Sequence, residues 1–212
     1  MVAKVLVLLG TLRANSNSAA YVNAFIEGLK SKMEIDVKTI NLTKKAVGGC
    51  SECFACVPHK ELFCTEKDEF IEITNEFLNA DIVLFAHPVF WLSIPGEVKN
   101  FIDRMICVFD FDTNTCKDSF KENFGKKYVV CMPNCRRTTK ETAVNAEKPI
   151  ECFCEMYGIP YSSVYLFANN MDVTQNVQQK ETAKKAGIEC ISFLFLFLFI
   201  KNTLIGCENF IK

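Results

Sequence analysis

Four of the chain's twelve cysteines fall in one short segment, as Cys50-x2-Cys53-x2-Cys56-x7-Cys64. Three thiolates at a two-residue spacing, with a fourth nearby, can wrap a single four-iron cubane. Zinc sites more often bring two C-x2-C pairs from separate hairpins, and this chain has no such second pair. A [4Fe–4S] cluster, a loop of uncommitted thiols and a zinc site are the three readings of this pattern. The other eight cysteines are scattered. Cys152 and Cys154 flank Phe153 and sit too close together to face one ligand, and all eight are expected to be buried apolar thiols.

A second reactive segment runs Gly10-Thr11-Leu12-Arg13-Ala14-Asn15-Ser16-Asn17-Ser18. It is rich in hydroxyls and amides and lies between an apolar run and a helical stripe. Free backbone N–H groups and the helix dipole at such a junction attract an anion. Arg13 can add a bidentate clamp. Dinucleotide loops rely on several glycines and this one has a single glycine, so a mononucleotide phosphate held by side chains suits it better. A plain polar loop with a helix cap is the alternative.

The third segment is Pro88-Val89-Phe90-Trp91, which holds the chain's only Trp. A planar apolar ring system takes aromatic and backbone neighbours of this kind; burial of both aromatics in the core is the competing reading. His87 reads as a satisfied loop residue, and Asp103–Arg104 as a structural ion pair at a helix end. The chain has only two histidines, His59 and His87, so His-based triads have little material.

These segments are useful only if the elements between them bring their ends together. Lys4–Leu9 and Ile82–Ala86 are continuous apolar runs, the mark of strands buried on both faces. Ile35, Val37 and Thr39 alternate with polar partners, as in a half-exposed edge strand. Tyr128–Met132 and Tyr161–Ala168 complete five strands. Helices are expected after Ser16–Ser18 to about Met33, over Glu66–Asn79, over Pro95–Phe109, from Thr138 to Gly158 with a kink or break at Pro149, and over Thr174–Ile191. Alternating strands and helices make a parallel sheet with helices on both faces. Ligands of such sheets bind beyond the carboxyl ends of the strands, here after Leu9, Leu42, Ala86 and Met132.

The first loop resembles that of the flavodoxin-like NADPH-dependent FMN reductases, G-S-x-R-x-x-S-N-[TS], with Thr11 in place of the first Ser. The stretch from Ala80-Asp81 through Pro88-Val89-Phe90 to Ser93, Lys99, Phe101 and Asp103-Arg104 is similar to a second signature of that family, with Phe90 for Tyr. The cysteine spacing resembles the compact motif of its iron-sulfur flavoprotein branch. The resemblance covers about residues 3–190. It implies a five-stranded sheet of order 2-1-3-4-5 and an FMN whose phosphate is held by Thr11, Arg13, Ser16, Asn17 and Ser18. Pro88, Val89, Phe90 and Trp91 would border the flavin, and Cys50, Cys53, Cys56 and Cys64 would ligate a [4Fe–4S] cluster. It also implies electrons from NAD(P)H or a ferredoxin-type donor and a homodimer or homotetramer. A cluster-free NAD(P)H:FMN or quinone reductase, and a non-enzymatic metal-binding or scaffold protein on a decayed fold, are the alternatives. The loop Met132-Pro133-Asn134-Cys135-Arg136-Arg137 departs from the family, which has a glycine-rich turn there.

Composition narrows the classes. The chain has 212 residues, 50% hydrophobic and including 19 Phe, enough for one ordinary core and contrary to global disorder. A net charge of -1 offers no field for nucleic acid or an anionic membrane. Five apolar residues, Val5 to Leu9, precede Gly10, whereas a secretory leader needs roughly 7–15. A reducing compartment is therefore expected, the cytoplasm first, with a redox organelle left open. Residues 1–190 read as the domain and 191–212 as a tail outside the family pattern. The apolar run from Ile191 to Ile200 is too short for a membrane span, which needs about 20 residues. It reads as a helix continuation, a subunit-contact segment or an artefactual tail.

Overall fold

The computed structural model describes residues 2–13, 15–136, 140–168 and 176–208, with side chains up to Ser192 apart from Thr142. In chain order the elements are β1 (Ala3–Leu9), α1 (Asn17–Lys30), β2 (Ile35–Asn41), α2 (Phe70–Asn79), β3 (Ile82–Pro88) and α3 (Gly96–Arg104). They continue with β4 (Phe109–Asp110), β5 (Thr115–Cys116), α4 (Lys121–Gly125), β6 (Tyr128–Cys135), α5 (Val144–Tyr157), β7 (Tyr161–Ser163), β8 (Leu166–Phe167) and α6 (Val177–Glu208).

The main sheet is parallel, in the order β2-β1-β3-β6-β7, with β8 also paired to β6. With β7 and β8 taken as the fifth strand, this is the expected order 2-1-3-4-5. Successive side chains point to opposite faces. Leu6, Leu8, Val83, Phe85, Val129 and Cys131 pack with residues of α2, α3 and α5. Val5, Val7, Leu9, Ile82, Leu84, Val130 and Met132 pack on the other face with α1 and α6. Burial on both faces explains why the central strands are continuous apolar runs. At the edge, β2 pairs only with β1 and alternates in exposure, as its sequence predicts.

Several boundaries differ from the sequence reading, each for a local reason. The helix expected over Pro95–Phe109 ends at Arg104, tightens into a 3-10 turn over Met105–Val108, and gives way to the small antiparallel hairpin β4–β5. Neither that hairpin nor α4 has a periodic sequence signal. The fifth strand is split, since β7 and β8 meet different parts of β6. Pro149 does not break α5 in two, and Gly158, at φ +64°, closes that helix in the left-handed conformation glycine tolerates. Thr138, expected to cap it, lies outside the described residues. Helix α6 continues through the expected boundary at Ile191 to Glu208.

The first turns of α6 are bound to α1 by two glycines. A Cβ on Gly28 would lie 2.1 Å from the Lys184 carbonyl oxygen, and one on Gly187 would lie 2.2 Å from that of Phe25. Backbone meets backbone here, so no flexible side chain can yield. Gly187→Ala is expected to cost about 1–3 kcal/mol by overpacking, read as a lower urea midpoint. An unchanged midpoint would show that the two helices separate freely.

Candidate functional site

The carboxyl end of the sheet gathers the first and third sequence segments. After β1, the Gly10 amide donates to the Ala86 carbonyl at 2.9 Å, tying the loop to β3. Gly10 has no room for a side chain, because a Cβ would meet Val98 at 2.6 Å and His87 at 3.0 Å. The loop is held from β2 by Asn41, whose amide donates to the Thr11 carbonyl at 2.7 Å. Ser16 caps α1, accepting from the Ala19 amide at 3.1 Å. Thr11, Ser16 and Ser18 are buried, while Arg13 is exposed and makes no ion pair among the described residues. The first helical amides, those of Asn17 and Ser18, have no carbonyl partner among the described residues. Orphan N–H groups beside hydroxyls and an exposed guanidinium are donors that can serve a dianion.

Beside it, Phe90 and Ser93 exchange both backbone hydrogen bonds across a tight turn. Trp91 and Leu92 at its tip have φ of +48° and +60°, a strained region for such side chains. Trp91 is fully exposed and Phe90 is 58% exposed, which rules out the reading of both as core aromatics. The turn is pinned by Val89, whose amide donates to the Asn134 carbonyl at the end of β6, at 3.0 Å. The Asn134 side-chain oxygen is buried with no partner among the described residues. An orphaned acceptor next to exposed aromatic surface suits the polar edge of a planar ring. Arg137 lies outside the described residues, and Arg136 is exposed.

Burial removes His87 from acid–base work. Its ring, wholly enclosed at the end of β3, lies 3.1 Å from the Pro88 carbonyl, and burial lowers the imidazole pKa to about 4. The unfolded chain therefore binds a proton near pH 6.5 that the folded chain refuses until about pH 4. Stability is then expected to fall by about 2–3 kcal/mol between about pH 7 and 4.5, since each tenfold loss of proton affinity on folding is worth about 1.4 kcal/mol. In His87→Gln that part of the pH dependence should vanish. Equal stabilities of the wild type at the two pH values in urea unfolding would contradict it.

The second segment, which follows β2, forms a separate site. Cys50, Cys53, Cys56 and Cys64 all line one cavity of about 480 Å³, bordered also by Asp103, Arg104, Cys107 and Phe111. Glu52 and Phe54, both at φ +54°, turn the chain so that successive cysteines come round the same space. Cys53 is exposed, and a hydrogen bond with the Thr65 hydroxyl at 3.3 Å holds its thiol below the usual range. Burial pushes the Cys56 thiol up, and Cys107 is pushed up to about 12. Cys107, isolated in sequence, thus belongs to the cavity wall. Among the described residues no three of His, Cys, Asp and Glu converge enough to hold one metal ion. A cubane asks for something different, one thiolate on each of four irons around a body. The four cysteines that line this one cavity are of the residue type and number such a centre takes.

Two buried cations that touch the cysteine segment have partners the sequence reading did not find. Arg104 does not pair with Asp103: neighbouring residues of a helix point apart. Asp103 reaches back four residues to Lys99, at 2.5 Å. Arg104 instead pairs with Asp68, lies over the Phe70 ring and donates to the Cys64 sulfur at 3.2 Å. Burial opposes ionisation of Asp68, but Arg104 and the Gly48 and Phe70 amides hold its carboxyl below the usual range. Lys117 donates to the carbonyls of Cys56, His59 and Cys107. No sequence pattern marks it, because its partners are backbone atoms, two of them about 60 residues away.

The model of the NADPH-dependent FMN reductases matches residues 3–167. The chain belongs to that family. FMN is therefore its cofactor class, and the donors of the β1–α1 loop and the exposed aromatic turn suit it. Among curated relatives of the family, an iron-sulfur flavoprotein of Archaeoglobus fulgidus is 27% identical over 99 residues, 47% of this chain and 44% of that one. An iron-sulfur flavoprotein of Methanocaldococcus jannaschii is 30% identical over 83 residues, 39% and 41% of the two chains. The matches thus span less than half the length of these relatives. An NAD(P)H:quinone oxidoreductase from Methanothermobacter marburgensis has the same fold, at TM-score 0.70 and 16% identity over 90% of this chain and 98% of that one.

Proposed function

We propose that this member of the FMN reductase family is an electron-transfer oxidoreductase of the iron-sulfur flavoprotein type. It would take electrons from NAD(P)H or a ferredoxin-type protein and deliver them to a small acceptor such as a quinone. The observation that carries the reading is the course of α3. Val98 of this helix packs at Gly10 of the phosphate loop, and Asp103 and Arg104 border the four-cysteine cavity. The step from Val98 to Arg104 is about 9 Å along the helix axis at roughly 1.5 Å per residue. The two cofactor sites therefore share one rigid element.

Bound FMN supplies a centre that accepts an electron pair and releases electrons singly, and a [4Fe–4S] cluster supplies a one-electron station. The protein's part is to hold them. Thr11, Arg13, Ser16, Asn17 and Ser18 would bind the phosphate, with the α1 dipole favouring its charge. Pro88, Val89, Phe90 and Trp91 would border the ring, and Asn134 would meet its polar edge. Cys50, Cys53, Cys56 and Cys64 would hold the cluster. Self-association, as a homodimer or homotetramer, is supported by the exposed Phe54, Phe90, Trp91 and Leu92 side chains, which gain by leaving water. No helix among the described residues is long and apolar enough to cross a membrane.

A cluster-free NAD(P)H reductase is the second reading, supported by the fold this chain shares with an NAD(P)H:quinone oxidoreductase. The visible spectrum of anaerobically reconstituted protein separates the two. Flavin bands with a broad brown shoulder and about four irons per chain are expected. Flavin bands alone would establish the cluster-free reductase, and colourless protein would leave the metal-binding or scaffold alternative.

A further inference from the structure

Two buried cations touch the cavity's cysteines and do different work. Lys117 spends its three donors on the carbonyls of Cys56, at 2.9 Å, and of His59 and Cys107, at 2.7 Å each, so it shapes backbone. Arg104 reaches a sulfur. Its side chain is 1% exposed and pairs with Asp68 through Nη1. The same nitrogen lies 3.4 Å from the Gly48 carbonyl, and the Phe70 ring centre is 4.2 Å from the guanidinium carbon. With one side of the fork so occupied, Nη2 donates to Cys64 Sγ at 3.2 Å. Among the described residues, Cys64 is the one cavity cysteine whose sulfur takes a hydrogen bond from a charged side chain.

We propose that Arg104 is a positioning residue of the four-cysteine centre: locked by Asp68, Gly48 and Phe70, it fixes the Cys64 sulfur and makes that ligand the poorest electron donor of the four. The inference rests on the reading that the cavity holds a [4Fe–4S] cluster. A charged hydrogen bond to a ligand sulfur draws electron density from it. The extra negative charge of the one-electron-reduced cluster is stabilised more than the oxidised state, so Arg104 raises the reduction potential.

The test uses full-length, FMN-loaded, anaerobically reconstituted protein, titrated with dithionite and redox mediators. Arg104→Met removes charge and donors; Arg104→Lys keeps the charge and loses the planar fork. Reduction is expected to become about tenfold less favourable in Arg104→Met, a fall of about 59 mV for a one-electron couple. Arg104→Lys should move the same way by less. Unchanged potentials in both, with iron and sulfide retained, would overturn the inference and leave the cluster reading intact. Wild type that takes up no iron would overturn both. Since either variant leaves Asp68 with a poorer partner and could unfold, the wild type carries a second measurement. With 15N-labelled arginine, pulsed electron paramagnetic resonance of the reduced protein is expected to show nitrogen coupling to the cluster, and its absence would overturn the proposal.

Discussion

Cys53→Ala is expected to lose most of its iron and acid-labile sulfide while FMN stays bound. Each thiolate of a tetrathiolate site holds one iron, so removing one leaves that corner without its protein ligand. Cys53 is the informative position. It is exposed and its thiol meets the Thr65 hydroxyl, so the substitution removes a ligand without opening a core cavity. The proposed phosphate site lies on the β1–α1 loop, a separate element. Cys190→Ala is the control: it is buried on the α1–α6 face of the sheet, the side opposite α3, and should change neither cofactor. Iron, sulfide and FMN per chain are the measurements. Full iron in Cys53→Ala, in a folded protein, would remove the cluster assignment from this loop.

Arg13→Ala and Ser16→Ala are each expected to weaken FMN binding about ten- to hundredfold, since a hydrogen bond to a charged group contributes roughly 1.5–3 kcal/mol. The two should differ in their cost to the fold. Arg13 is exposed and without an ion-pair partner among the described residues, so its loss should leave the urea midpoint unchanged. Ser16 is buried and caps α1, so its replacement should also cost about 1 kcal/mol of stability. Ser16→Thr keeps both the cap and a hydroxyl, and should restore most of each. Isothermal titration of the apoprotein with FMN reads the affinity. Wild-type affinity in both alanine variants would remove the phosphate from this loop.

Much of this architecture is legible in the residues because it is local. Continuous apolar runs at β1 and β3 mean burial on two faces; alternation at β2 means an edge; Ser16 before a helical stripe means a cap. Those signals need only periodicity and capping chemistry, and together they place the loops that carry the phosphate, ring and cysteine segments. Less legible were the ends of elements. Helix α3 stops at Arg104, where the chain turns to build one wall of the cysteine cavity, a demand set by Cys50 to Cys64 far earlier in the sequence.

The cysteine spacing by itself determined which thiols could share a ligand, and the loop motifs determined the family. Tertiary structure alone decided that Cys107 joins the same wall, that Trp91 stands outside the core, and that Arg104 turns to Asp68 and Cys64. The physical reason is the range of the interactions. Backbone propensity and side-chain period act over a few residues and leave their record in sequence. A buried cation finds its partners wherever folding desolvates them, as Lys117 does on carbonyls far back in the chain, and no local pattern has to mark the pair.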